Sequence, residues 1–102
     1  MDLLTSELKR KFRHIARQTG TPDPIVFCKF FCPTNSSPWF ATEYNETTRT
    51  FYGYVSLYGD RGTDEWGYFS LAELQSIKGM GGVGVERDMF WKQKPFSALE
   101  FS

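Results

Sequence analysis

Short aromatic and β-branched segments, separated by polar breaks, dominate the hydrophobic pattern of this chain. Each segment has the length of a β-strand and is bounded by Pro, Asn, Gly, Asp or Ser, which favour turns. The breaks between the segments are short, and short connections join antiparallel rather than parallel neighbours. The pattern therefore predicts an antiparallel meander. Its strands are residues 25–32, 39–44, 50–58 and 65–69.

Two helices are predicted to pack on this sheet. Residues 5–18 have an apolar stripe at helical spacing, and we expect its first three members to contact the sheet. Ser70 and Glu73 form a capping-box pattern, which opens a short second helix that ends near residue 78. The stripe of the first helix consists of Leu8, Phe12, Ile15 and Ala16.

Residues 1–102 are expected to form a single α+β domain. In it, a four- to five-stranded antiparallel meander sheet carries the N-terminal helix and the short second helix. A chain of 102 residues is long enough for one hydrophobic core but too short for two. The glycine-rich residues 79–84 follow the second helix, whereas a phosphate-binding loop precedes one. We interpret them as a connector in which glycine permits unusual backbone angles.

The composition limits the classes of partner. The chain has 12 Lys and Arg residues against 12 Asp and Glu residues, so its formal net charge is zero. Nucleic-acid binders usually have a basic excess, because contacts with phosphates drive their affinity. No apolar run approaches the roughly 20 residues of a membrane helix, and the N-terminal segment does not resemble a secretory signal. We expect a cytoplasmic protein without a membrane partner.

The basic residues are concentrated on the predicted first helix. The favoured interpretation is a solvated helix face, since most charged helix faces have no further role. The alternative is an anion-binding surface, and its candidate residues are Arg10, Arg13 and Arg17.

Cys28 and Cys32 lie four residues apart in a predicted strand. An extended chain separates them by about 13 Å, which is too far for a disulfide. The one histidine, His14, lies on the charged helix, so no set of metal ligands is evident. We predict that both cysteines are free thiols in the core and that the protein binds no metal or cofactor.

Nothing in the sequence predicts catalysis. His14 is far in sequence from any candidate nucleophile, and the Gly-x-Ser-x-Gly element of many hydrolases is absent. Pairs of carboxylates occur, but catalysis by such pairs needs a deep cleft, which a domain of this size rarely has. In Glu86-Arg87-Asp88, an ion pair through Arg87 is the simpler interpretation. We expect a protein that is not an enzyme.

Alternation in the third predicted strand separates two faces. Phe51, Gly53, Val55 and Leu57 form the core side, and a row of tyrosines with Ser56 faces the other way. A tyrosine-rich face can stack nucleic-acid bases or form a protein-binding hot spot. Alternatively, the C-terminal tail around Phe90, Trp91 and Phe96 covers and buries it. Neutral charge favours a protein over a nucleic acid.

In the second predicted strand, strict alternation places two sets of side chains on opposite faces. One set is Phe40, Thr42 and Tyr44, and the other is Trp39, Ala41 and Glu43. We expect the binding surface to combine the tyrosine row with an aromatic residue of this neighbouring strand. The candidate protein-binding residues are Trp39, Tyr44, Tyr52, Tyr54 and Tyr58.

Five ordered motifs support a resemblance that runs nearly end to end. They are Leu3-Leu4-Thr5, Trp39-Phe40-Ala41-Thr42-Glu43-Tyr44, Phe51-Tyr52-Gly53, Gly67-Tyr68-Phe69-Ser70-Leu71-x-Glu73-Leu74 and Glu86-Arg87-Asp88. With these motifs the chain resembles a family of small uncharacterised proteins, a domain of unknown function, from bacteria, phages and conjugative elements. The resemblance implies a single α+β domain and residence on mobile DNA. It transfers no catalytic residue.

Small non-enzymatic proteins of mobile elements commonly act by occluding a host machine. The leading hypothesis is therefore a protein-binding inhibitor that acts in counter-defence, as anti-CRISPR proteins do, on a host or defence-system protein in the host cytoplasm. The alternative is a single-stranded nucleic-acid-binding accessory protein of element transfer. A small enzyme is the third hypothesis.

Overall fold

The structure is a computed structural model that describes residues 2–15, 17–18, 20–34, 38–56, 65–77 and 80–99. Within these residues, an N-terminal helix, a five-stranded antiparallel sheet and a short second helix form the predicted α+β arrangement. The helices are α1 (Ser6–Ile15) and α2 (Leu71–Ser76). The strands are β1 (Ile25–Val26), β2 (Cys28–Phe31), β3 (Pro38–Asn45), β4 (Thr50–Val55), β5 (Glu65–Ser70), β6 (Glu86–Arg87) and β7 (Lys94–Pro95).

The sheet has the order β5-β4-β3-β2-β6, so the predicted meander is confirmed from β2 to β5. The prediction of one continuous strand over residues 25–32 is wrong. The chain breaks at Phe27, and β1 pairs with β7 in a separate two-stranded sheet. Phe27 instead turns its ring onto the ring of Phe12 in the core, with 5.2 Å between centroids.

Phe12 of α1 lies at the centre of the core. It is 1% exposed, and its ring packs against the rings of Phe27 and Phe51. Leu8 packs against the same core, but the prediction that Ile15 joins it is wrong, because Ile15 is 37% exposed. The helix ends at this residue, and Gln18 occupies the buried position that follows.

A β-bulge in β3 is stabilised by buried and partly buried hydrogen bonds. The register against β4 shifts between Ala41 and Glu43, which leaves Thr42 as the extra residue. The Gln18 amide donates to the carbonyl oxygens of Thr42 (2.7 Å) and Ile25 (2.9 Å) and accepts from the Ile25 amide (2.7 Å). The Thr42 hydroxyl donates to the carbonyl of Tyr52.

The bulge changes which side chains of β3 share a face. Tyr44 lies on the core side with Trp39, and its ring is 4.8 Å from that of Phe51. The predicted strict alternation, which placed Tyr44 with Phe40, is therefore wrong beyond Ala41. One extra residue reverses the facing of every side chain that follows it.

The second helix begins as predicted. The Ser70 side chain accepts from the Glu73 amide at 2.9 Å, and the Glu73 carboxylate accepts from the Ser70 amide, which completes the capping box. Leu74 is buried on the inner face of α2. In the connector that follows, Gly81 and Gly82 have φ values of 73° and 80°, which confirms the expected use of glycine there.

Candidate protein-binding surface

The pairing of β4 with β5 assembles four aromatic rings on the sheet face opposite α1. Tyr52 lies directly across from Tyr68, and Tyr54 lies directly across from Trp66. The ring centroids are 4.9 Å apart in the first pair and 5.4 Å apart in the second. Tyr52 also stacks on Trp66 at 6.0 Å. We call these four residues the aromatic cluster.

Exposure differs from one end of the aromatic cluster to the other. Tyr68 is 71% exposed and Trp66 is 37% exposed, whereas Tyr52 and Tyr54 are half-buried. Each ring of the cluster contacts at least one other ring, and the Tyr68 end is the part most exposed to solvent.

The C-terminal segment, residues 91–99, covers only the Tyr54 end of the cluster. The Phe96 ring lies 4.8 Å from both Tyr54 and Trp66, and Trp91 packs on Phe40 at 5.9 Å. The predicted alternative, in which the tail around Phe90, Trp91 and Phe96 buries this face, therefore holds only in part. Phe40 is buried, but Tyr54 is half-buried, Tyr68 is exposed, and Phe90 of the tail is itself 92% exposed.

Hydrogen bonds hold the C-terminal segment against residues 23–26. The Trp91 indole donates to the carbonyl of Val26 at 3.1 Å, and the Phe96 amide donates to the carbonyl of Pro24. The amide and hydroxyl of Ser97 both donate to the carboxylate of Asp23, at 2.9 and 2.7 Å. These two bonds, the hydroxyl bond foremost, lower the pKa of Asp23.

A groove of about 770 Å³ adjoins the exposed end of the cluster. Tyr52 and Tyr68 line it from the sheet, and Arg13 and Arg17 line it from α1 and the residues after α1. The fold therefore brings a member of the tyrosine row and two of the three candidate anion-binding residues to one concavity. The third, Arg10, is exposed on α1 and is not among the lining residues.

The groove contains charges of both signs. Glu43 and Glu46 line it together with the two arginines. The Arg13 guanidinium contacts one carboxylate oxygen of Glu46 through two nitrogens, each at 2.8 Å. Carboxylates beside the arginines reduce the attraction that this groove exerts on a phosphate backbone.

The structure places the five predicted protein-binding residues in different surroundings. Tyr52 and Tyr54 belong to the aromatic cluster. Trp39 is 7% exposed and lies in the core, on the other face of the sheet. Tyr44 packs against the core and also lines the groove, and burial raises its pKa. Tyr58 lies outside the described residues.

Trp66 and Tyr68 were missed as site residues. The signal was present, because β5 alternates Trp66 and Tyr68 with Gly67 and Phe69. The same two-residue period that identified Tyr52 and Tyr54 places both aromatics on one face.

Other candidate chemistry in the described residues is sparse. Cys28 and Cys32 are buried free thiols, and burial raises the pKa of Cys28 to about 12, so that it stays protonated near neutral pH. The described residues contain no cluster of three or more His, Cys, Asp or Glu side chains that could hold a metal ion. Arg87 donates to the backbone carbonyl of Asp2 and to the sulfur of Met89.

In the described part, neither helix has the length and apolar character needed to cross a membrane.

Comparison with known proteins gives a family without an assigned activity. No curated protein and no solved structure matches the chain. Residues 3–99 match a family described as "Protein of unknown function (DUF2958)". This span contains both helices, all seven strands and the aromatic cluster. The predicted resemblance to a domain of unknown function is therefore confirmed, and the chain belongs to the DUF2958 family.

Proposed function

We propose that this chain is a non-enzymatic, protein-binding inhibitor. In this proposal it is carried by a mobile element and acts in the host cytoplasm, where it occludes a host or defence-system protein in the manner of an anti-CRISPR protein. The observation that carries the binding part is Tyr68, which is 71% exposed at the open end of an otherwise packed aromatic cluster.

Aromatic side chains that are exposed and also held in place are well suited to binding. A tyrosine or tryptophan supplies a large contact area and loses little conformational entropy on binding, so these residues are enriched among hot spots. Contacts with Tyr52 and Tyr54 already restrict the rings of Tyr68 and Trp66. A partner that covers Tyr68 therefore gains apolar burial without ordering a mobile side chain.

The charges of the groove favour a protein partner over a nucleic acid. Arg13 is engaged by Glu46, and Glu43 lies in the same groove. A surface with both signs of charge is complementary to another mixed protein surface, whereas a phosphate backbone is attracted by an excess of cations. The net charge of zero is consistent with this preference.

The inhibitory role rests on a different kind of support. The chain is small, and its motifs resemble proteins of phages and conjugative elements, which commonly act by occlusion. This support is by analogy, because a fold alone does not determine a function.

Affinity capture from bacterial lysate, with and without nuclease, tests the class of partner. We expect a protein that is recovered equally in both conditions. The affinity for that protein should change little with salt, because a partner without a phosphate backbone releases few condensed counterions on binding. Recovery that disappears on nuclease treatment would contradict the proposal.

Variants of Tyr68 test the surface itself. Tyr68→Ala should weaken binding by at least about 30-fold, the loss typical of a hot-spot residue. Tyr68→Phe keeps the ring and should retain most of the affinity, which separates ring contact from the hydroxyl. Equal affinities of the wild-type and Tyr68→Ala proteins would exclude the aromatic cluster as the binding surface.

A second function is favoured by one observation, the presence of Arg13 and Arg17 in the same groove as three tyrosines. Arginines beside stacking rings are typical of single-stranded nucleic-acid binding, the role expected of an accessory protein of element transfer. In that case log K should fall with log salt by about 0.7 per phosphate contact. Arg17→Ala should then weaken binding much more than Arg10→Ala, its matched control outside the groove lining.

A further inference from the structure

A second exposed apolar patch lies at the other end of the sheet. Phe90 is 92% exposed and Met89 is 63% exposed. They follow β6, the last strand on the side opposite β5, so the sheet separates them from the aromatic cluster. We call residues 88–90 the Phe90 turn.

Hydrogen bonds fix the backbone of the Phe90 turn. The Asp88 amide donates to the carbonyl of Lys29 in β2 at 2.9 Å, and the Asp88 carboxylate accepts from the Phe90 amide at 2.9 Å. The Trp91 amide donates to the carbonyl of Asp88, which closes the turn. Phe90 is therefore presented on a backbone anchored to the sheet, although its side chain is almost entirely in solvent.

A recess of about 300 Å³ lies at the Phe90 turn, and Phe90 is itself among its lining residues. Phe31 and Met89 contribute apolar surface to it, and its volume is large enough to admit a phenyl ring. Its charged residues are of both signs: Lys29 and Arg87 against Glu86 and Asp88.

We propose that this patch is a two-fold interface between two copies of the chain, in which Phe90 of each copy enters the recess of the other. An interface between identical patches must be self-complementary. This patch has a projecting ring beside a recess, and its two cations are matched by two carboxylates. The charge balance makes a second copy a better occupant than a partner of one dominant charge. The aromatic cluster, at the far end of the sheet, stays accessible in such a dimer.

Sedimentation velocity of the full chain, over a range from about 1 to about 200 μM, tests the dimer. We expect a monomer–dimer equilibrium whose dissociation constant rises at least about 100-fold in Phe90→Ala, because each dimer loses two anchors. Tyr68→Ala, an exposed aromatic change at the opposite end of the sheet, should leave the equilibrium unchanged. A wild-type protein that stays monomeric throughout, or a Phe90→Ala protein that dimerises as the wild type does, overturns the proposal.

A charge exchange tests the self-complementarity independently. Lys29→Glu and Glu86→Lys should each weaken the homodimer. Each variant patch carries an excess of one charge, so two identical patches repel each other. An equimolar mixture of the two variants should restore dimers, since each patch then faces its opposite in charge. Unchanged thermal unfolding of each variant confirms that the fold is intact. A mixture that remains as monomeric as its components contradicts the proposed interface.

Discussion

Gly53 is the position where a single methyl group should disturb the sheet most. Gly53 lies in β4 opposite Ala41 of β3 and opposite Gly67 of β5. A Cβ at Gly53 would lie 1.9 Å from the carbonyl oxygen of Phe40 and 2.9 Å from its carbonyl carbon. Both atoms belong to the backbone of β3, so no side-chain rotation relieves the contact.

The geometry gives the size of the effect. Ordinary van der Waals contact begins near 3.4 Å, so β3 and β4 must separate locally by about 1.5 Å. Overpacking alone costs about 1–3 kcal/mol, and the separation also lengthens neighbouring ladder hydrogen bonds, each worth about 1 kcal/mol. We therefore expect Gly53→Ala to lower the free energy of unfolding by about 3 kcal/mol.

Gly67→Ala is the matched control on the adjacent strand. A Cβ at Gly67 meets no heavy atom within 4 Å. Replacing glycine by alanine at such a position reduces the entropy of the unfolded chain and should raise stability by about 0.4–1 kcal/mol.

Denaturant unfolding followed by circular dichroism measures both variants, and thermal unfolding provides a second readout. For a domain of this size, 1 kcal/mol corresponds to a shift of about 4–8 °C, so Gly53→Ala should lower Tm by more than about 10 °C. If Gly53→Ala and Gly67→Ala were equally stable, the close approach of β3 to Gly53 would be refuted.

Three further predictions concern the core, a surface carboxylate and a buried thiol. Phe12→Ala should lower the free energy of unfolding by about 3–5 kcal/mol, whereas Ile15→Ala, at an exposed position, should cost less than about 1 kcal/mol; equal losses in denaturant unfolding would contradict this core. Ser97→Ala should raise the lowered pKa of Asp23 toward its ordinary value, as followed by NMR titration. Because the folded-state pKa of Asp23 lies below its unfolded value, its contribution to stability is complete above the unfolded pKa and is lost as the pH falls through the folded one. Cys28, with a pKa of about 12, should resist alkylation by iodoacetamide at pH 8 in the folded protein, and rapid labelling would contradict its burial.

The parts of the fold that the sequence predicts are those specified by local patterns. Alternation over residues 51–55 gives the correct core and outer faces of β4, because a strand repeats its facing every two residues. The capping box of Ser70 and Glu73 likewise depends on residues only three positions apart.

The break between β1 and β2 depends on contacts distant in sequence. Ile25 and Val26 leave the main sheet because Lys94 and Pro95 pair with them. A two-residue strand is too short to leave a hydrophobic period, so neither side of this pairing is evident from the sequence.

The bulge at Thr42 is the other feature that the two-residue alternation of side chains does not predict. It depends on Gln18, which satisfies the carbonyl that the bulge leaves outside the ladder. Alternation before and after such an insertion is regular, but the two halves have opposite phase. Strict alternation therefore predicts the wrong face of the sheet for Tyr44.

The aromatic cluster can be predicted from the sequence, but the groove beside it cannot. Tyr52 and Tyr54 follow from alternation, and Trp66 and Tyr68 follow from the same rule applied to β5. The groove that Arg13 and Arg17 line together with Tyr68 joins segments about fifty residues apart in sequence, so it is evident only from the tertiary structure.

The protein-binding role of the aromatic cluster can be tested by capturing a partner with wild-type and Tyr68→Ala baits from one nuclease-treated bacterial lysate. The two baits differ by one exposed side chain, and Tyr68→Phe serves as the control that keeps the ring. We expect a specific protein to be recovered by the wild-type and Tyr68→Phe baits, and its recovery to fall at least about tenfold with Tyr68→Ala. Equal recovery by all three baits, or recovery only when nuclease is omitted, would contradict a protein-binding role for the aromatic cluster.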